Sequence, residues 1–155
     1  MTESPSPLRR ALEPLLRGFT RLHRWIYLRS GGRVGRRMTG PVTSMLLHTT
    51  GRRSGQRRSV ALAYTDDGDA FVVVASNFGG ERPPGWLLNL EGDPRAQVNI
   101  GRRSVAVTAE VLMPGAPEYE RVFQVANKAN RGIFERYRAT MTRPLPVVRL
   151  VPDRR

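Results

Sequence analysis

From Val42 to Val151 the chain is a series of apolar runs no longer than a strand, each closed by a turn signal. This pattern leaves few choices: short segments joined by tight turns pair with their neighbours, and hairpins in series build an antiparallel sandwich or barrel. Val42–Thr49 and Ser59–Thr65 flank a turn written Gly51-Arg-Arg-Ser-Gly-Gln-Arg-Arg58. Asp66-Asp-Gly-Asp69 marks a second turn, since these residues tolerate left-handed or side-chain-bonded backbone. Ala70–Ser76 is almost wholly apolar, which predicts a strand buried on both faces.

The later half repeats the theme with helices added. Pro83-Pro84 opens a short helix over Trp86–Glu91, and Gly92-Asp-Pro94 ends it. Ala96–Ile100 and Ser104–Leu112 form a hairpin around Gly101-Arg-Arg103, with Val105, Val107, Ala109 and Val111 alternating against polar neighbours. Glu118 to about Tyr137 reads as helical with a break near Gly132, and Leu145–Val151 is a last strand framed by prolines. The expectation is an α+β fold, a small six-stranded antiparallel barrel with helices at its ends and one inserted.

Residues Pro7 to Arg29 obey another rule. Leu8, Leu12, Leu15, Leu16, Phe19, Leu22 and Ile26 recur at helical spacing, with arginines mostly off that stripe and Trp25 and Tyr27 near the end. Such a basic amphipathic helix suits an anionic membrane surface; its apolar face equally suits packing on the domain or on a second subunit of a homodimer. Gly31 to Pro41 reads as a glycine-rich linker, so the expected organisation is residues 1–40 as an arm and 41–155 as the barrel domain.

Composition narrows the chemistry. The net charge is +13 and almost all of it is arginine, Lys128 being the sole lysine. Genomic base composition can enrich arginine without selection for any contact, but the favoured partners are anionic either way. Without cysteine there is no disulfide, thiolate nucleophile or cysteine-bound metal, and two distant histidines, His23 and His48, do not suggest a metal site. No apolar run reaches membrane-spanning length and arginines interrupt every signal-like segment. The expected location is therefore cytoplasmic, with a peripheral contact on the inner face of the cell membrane as an option for the arm. Nucleic acid is not the expected partner, because aromatic residues are 7% of the chain and no reader motif is present.

Two segments carry the candidate chemistry. The first turn gathers Arg52, Arg53, Arg57 and Arg58 with Ser54 and two glycines, a set able to grip an anion. Taken alone, it reads as a solvated basic hairpin before it reads as a ligand site. The second is Ala75-Ser-Asn-Phe-Gly-Gly80 leading through prolines to Trp86 and Asn89, which stand three apart on one helix face. Trp86 reads equally as a plug for the barrel end.

Thr50-Gly-Arg-Arg-Ser-Gly-Gln-Arg-Arg58, Ala75-Ser-Asn-Phe-Gly79, Pro84-x-Trp86-x-x-Asn89-Leu90 and Asp93-Pro94 together resemble the deazaflavin-dependent nitroreductase family. The likeness runs from about Leu46 to Val151. It implies an FMN-binding split-barrel-like fold and the cofactor F420, a 5-deazaflavin with a phosphate and an oligoglutamate tail. By position, Arg52, Arg53, Ser54, Gln56 and Arg58 would hold phosphate and tail. Val60, Ala61 and Leu62 would line the ring; Ala75, Ser76, Asn77 and Gly79 would hydrogen-bond around it; Trp86 and Asn89 would close the phosphate end. Tyr137 would position the acceptor or relay a proton, or simply pack. The implied activity is hydride transfer from reduced F420 to a small hydrophobic electron-poor acceptor: an enone, a quinone or a nitro compound. An FMN-dependent split-barrel enzyme, a non-catalytic F420 carrier and a nucleic-acid-binding module are the competing readings. Arg57 stands where proline is common in the family, and Gly79-Gly80-Glu81 departs from its usual basic run.

Overall fold

The computed structural model describes residues 43–153; the expected N-terminal helix and linker lie outside them. The elements run β1 (Ser44–Thr50), β2 (Arg57–Ala63), β3 (Thr65–Asp67), β4 (Ala70–Val74), a 3-10 turn (Asn77–Gly79), α1 (Gly85–Gly92), β5 (Arg95–Ile100), β6 (Arg103–Leu112), α2 (Tyr119–Ala129), α3 (Ile133–Thr140) and β7 (Val147–Pro152). The strands form one sheet in the order β2-β1-β5-β6-β7-β4-β3, every pair antiparallel.

One core lies inside the curl of this sheet. Met45 and Leu47 of β1, Phe71 and Val73 of β4, Val98, Val107, and Val148 and Leu150 of β7 meet there, covered by Trp86, Leu87 and Leu90 of α1. Residues from opposite ends of the strand order share that interior, so the sheet wraps round it as a barrel left open between the β2 and β3 edges. A second core lies on the outside of β4 and β7, where α2 and α3 bring Tyr119, Val122, Phe123, Ala126 and Phe134 onto Val72, Val74 and Val147. The apolar run of β4 thus has a reason in each direction: alternate residues feed different cores, and all five are buried. Each such valine contributes about 1.5–3 kcal/mol by leaving water.

One expectation needs correction. There are seven strands rather than six, because Thr65 leaves the second strand and, with Asp66 and Asp67 of the expected turn, forms a separate edge strand. Pairing with β4 supplies the ladder, and Asp67 gains a fork from Arg121 at 2.7 and 3.1 Å and a longer contact with Arg149 at 3.4 Å. The helical stretch expected over Glu118–Tyr137 does break near Gly132, giving α2 and α3. The chain reverses at Arg131 and Gly132, both left-handed (φ 57° and 74°), with Asn127 Oδ1 accepting from the Glu135 N–H at 3.1 Å.

His48 shows what the barrel does to a lone polar side chain. It is buried on the face of β1 opposite Met45 and Leu47, with Nδ1 2.7 Å from Ser59 Oγ and Nε2 unpaired among the described residues. Burial and then the nearby Arg57 charge lower its pKa from 6.5 to about 4. The unfolded chain therefore binds the proton more readily, and stability falls as pH drops from 6.5 toward 4. We expect a loss of about 2 kcal/mol across that window, discounted from 1.36 kcal/mol per unit for residual solvent. Melting curves of wild type and His48→Gln at both ends of the window check this; the variant should lose less stability across it than wild type, the remainder coming from ion-paired carboxylates such as Asp67.

Candidate functional site

The arginine turn is a compact loop closed on itself. The Gly51 N–H donates to the Gln56 carbonyl at 2.8 Å, and Gly51's own carbonyl accepts from Ser54 and Gly55 at 3.1 and 2.7 Å. Ser54 Oγ accepts from the Gln56 N–H at 3.3 Å and lies 3.5 Å from the Arg58 guanidinium. Arg52, Arg53, Ser54, Gln56 and Arg58 are all exposed. The side chains of Arg52 and Arg53 make no hydrogen bond or ion pair among the described residues. Strand alternation then sorts the side chains of β2 between two faces. Arg58, Val60 and Leu62 share one face, and Val60 and Leu62 pack on the barrel core. Arg57, Ser59 and Ala61 share the other, where Arg57 donates to Gln97 Oε1 at 2.5 Å. The cationic turn and the apolar wall thus connect through Arg58, while Arg57 and Ala61 point elsewhere.

Helix α1 anchors this turn. Asn89 Oδ1 accepts from the Arg52 N–H at 3.2 Å and its Nδ2 donates to Thr49 Oγ1 at 3.0 Å. The helix ends against the same turn: a Cβ built on Gly92 would lie 3.4 Å from that of Arg52. A helix C-terminus carries partial negative charge, which favours arginines there. Trp86 is buried in the barrel core, so its indole plugs the barrel.

The other candidate segment is the 3-10 turn that precedes α1 by five residues. Here Asn77, Phe78 and Gly79 are successively left-handed, at φ 46°, 54° and 76°. For two non-glycine residues this costs on the order of 1–3 kcal/mol each. Most backbone groups around them are used internally. Ala75 donates to the Pro146 carbonyl at 3.0 Å, Ser76 to Val74 at 2.9 Å, Gly79 to Ser76 at 2.9 Å and Gly80 to Asn77 at 3.0 Å. The N–H groups of Asn77 and Phe78 have no partner among the described residues. Ser76 is right-handed and Asn77 left-handed, the alternation that turns successive N–H groups toward an anion or electron-rich oxygen. The side chain of Phe78 is 86% exposed.

Tyr137 reaches this loop from α3. A Cβ on Gly79 would stand 2.9 Å from Tyr137 Cδ1, so the ring lies directly on that glycine. The ring also packs by Phe134 at 6.4 Å between centroids. Tyr137 thus packs on the loop, and its hydroxyl makes no hydrogen bond among the described residues.

Sequence reasoning missed Thr49, which has no signal beyond its place in a strand, and the free amide of Phe78. It also missed Arg143, whose guanidinium meets the carbonyls of Ala75, Ser76 and Gly80.

A family model described as F420H2-dependent quinone reductase matches residues 19–152. The chain belongs to that family. A curated F420H2-dependent quinone reductase of Mycobacterium tuberculosis is 42% identical over 128 residues, which are 83% of this chain and 86% of the relative. A solved F420H2-dependent reductase, FDR-A, superposes with a TM-score of 0.62 at 28% identity, covering 69% of this chain and 92% of its own. A structure described as a domain-swapped dimer has a TM-score of 0.64 at 25% identity, covering 94% and 99%.

As a member of the F420H2-dependent quinone reductases, the protein is an oxidoreductase that uses reduced F420. The residues fit that cofactor. Exposed arginines at one end of α1 suit a polyanionic tail, and a wall of Val60 and Leu62 suits an aromatic ring. The unpaired amides of Asn77 and Phe78 suit ring carbonyl oxygens. The expected split barrel is present, and no described helix is long and apolar enough to cross a membrane.

Proposed function

We propose that this chain reduces quinones by two-electron transfer, binding reduced F420 along α1 with its phosphate and tail at the arginine turn. The ring lies at the Ser76–Gly79 loop. The observation that carries this reading is the arrangement of α1, which ties to the cationic turn through Asn89 and follows, five residues on, the loop bearing unpaired amides. Reduced F420 supplies a hydride from C5 of its ring.

The protein's own part is binding and orientation. Arg52, Arg53 and Arg58, helped by Ser54 and Gln56, hold the anionic end with charge-assisted hydrogen bonds. Val60 and Leu62, with the backbone at Ala61, form the wall. The Asn77 and Phe78 amides fix the ring edge, Ser76 offers its hydroxyl and Ala75 sets the strand from which the loop departs. Gly79 and Tyr137 shape the side on which the acceptor stacks, and the Tyr137 hydroxyl positions it or hands over a proton. Trp86 and Asn89 act by holding the barrel end and the turn.

Enones and nitro compounds share the electron-poor character of a quinone and belong to the same acceptor range. Residues 7–29 form the arm in this reading, lying on an anionic membrane surface where apolar quinones collect or pairing two copies. The domain-swapped dimer among the similar structures favours the second role.

Titration of purified protein with F420, followed by absorbance, and turnover of reduced F420 with menadione test the proposal. Absence of both binding and turnover rejects it. Binding without turnover on quinone, enone and nitro acceptors leaves a carrier instead.

A further inference from the structure

Most of the strained loop is held by one side chain that lies far from it in sequence. Arg143 sits between α3 and β7, half-buried. Its Nε donates to the Gly80 carbonyl at 3.0 Å, and one terminal nitrogen donates to the Ala75 and Ser76 carbonyls at 3.0 and 3.1 Å. The other terminal nitrogen donates to the Pro144 carbonyl at 3.1 Å. A guanidinium offers five N–H donors in a rigid plane, and here that plane spans the two ends of a single loop. A second tie runs alongside, with the Thr142 hydroxyl donating to Glu81 Oε2 at 2.5 Å and its N–H to Oε1 at 3.3 Å.

Between the two bracketed ends stand Asn77 and Phe78, the left-handed residues whose amides are unpaired. Left to itself, a non-glycine pair relaxes out of that region. Clamping the carbonyls of Ala75, Ser76 and Gly80 removes the freedom through which it would relax. It also satisfies three carbonyls that the loop's own turns leave available for a further bond.

We infer that Arg143 is a positioning residue of the reductase site: it touches neither cofactor nor acceptor, but holds the Ala75–Gly80 loop so that the Asn77 and Phe78 amides face the ring. This rests on the reading of the site proposed above. It predicts that the geometry of the amides, rather than the barrel's stability alone, depends on a planar fork at position 143. A lysine keeps the charge and most of the stem but cannot reach carbonyls at both ends of the loop.

The test uses the full chain and two variants, Arg143→Lys and Arg143→Gln. Hydrogen exchange on the cofactor-free protein should speed at least tenfold at the Gly79 and Gly80 amides in both, with β5 and β6 amides unchanged. F420 titration should show about tenfold weaker binding, and at saturating F420 the kcat should fall about tenfold with the quinone KM unmoved. Unchanged loop exchange overturns the assignment. Faster exchange with wild-type affinity and kcat also overturns it, leaving Arg143 as a stability residue only. Should Arg143→Gln fail to fold, Arg143→Lys carries the same measurements. A wild type that does not bind F420 sinks the site reading and this assignment with it. Variants matching a wild type that does bind sink the assignment alone.

Discussion

Replacing Arg52 and Arg58 together with alanine is expected to weaken F420 binding a hundredfold or more while the protein melts almost as before. Charge-assisted hydrogen bonds contribute about 1.5–3 kcal/mol each. Two of them lost amount to at least two factors of ten at about 1.4 kcal/mol per factor. Neither side chain holds the fold: both are exposed, and the nearest partner of Arg58 is Ser54 Oγ at 3.5 Å. The Arg52 bond to Asn89 uses its backbone N–H, which alanine retains. Substitutions of this kind usually stay within about 0.5 kcal/mol of wild type. Titration by absorbance, set beside a melting curve, separates the outcomes. A collapse in melting temperature with affinity intact makes the pair structural and removes the anionic end of the proposed site. Arg57→Ala is the internal control. Its guanidinium is engaged by Gln97 on the opposite face of β2, so affinity should change far less.

That contrast between Arg57 and its neighbours shows how much the sequence disclosed. Four arginines round a turn read locally as a solvated hairpin before an anion site, and strand alternation identifies the inward set once the register is known. The register comes from pairing Thr49 with Arg58 and Thr50 with Arg57, which depends on where the turn closes. Without that register, Ala61 falls on the ring wall by position alone. β4 is legible because a run of apolar residues admits only burial on both faces, and the structure divides it between two cores. Thr65–Asp67 is not, since Asp-Asp-Gly-Asp is turn chemistry by every local measure. What makes it a strand is a partner β4 and two arginines, Arg121 and Arg149, distant in the chain. Arg143 leaves no local trace either. A single arginine before Pro144-Leu-Pro146 gives no hint of carbonyls more than sixty residues away. Hairpins and core stripes are local patterns, whereas the contacts that hold the loop are products of the folded barrel.

Gly79→Val should cost about 3 kcal/mol of stability and take F420 affinity down with it. Two penalties act at the same atom. The residue sits at φ 76°, a region that costs an L side chain about 1–2 kcal/mol and a β-branched one more. Its Cβ would also stand 2.9 Å from Tyr137 Cδ1, closer than real side chains approach, and 3.2 Å from Cε1, a tight contact. The ring cannot simply swing away, because Tyr137 packs in the outer core beside Phe134. A double-mutant cycle separates the terms. In a Tyr137→Ala background the steric part disappears and only the backbone part remains, so the two changes together should cost less than their sum by about 1 kcal/mol. Chemical denaturation of the four proteins measures that coupling. Strict additivity would mean that Gly79 is required by its dihedral alone. Tyr137 would then lose its place as the residue that shapes the loop and would have to act, if at all, through its hydroxyl. Turnover of Tyr137→Phe, which keeps the ring and removes only that oxygen, decides between them: wild-type kcat with menadione assigns the residue to packing, and a fall in kcat at unchanged stability assigns it to the acceptor.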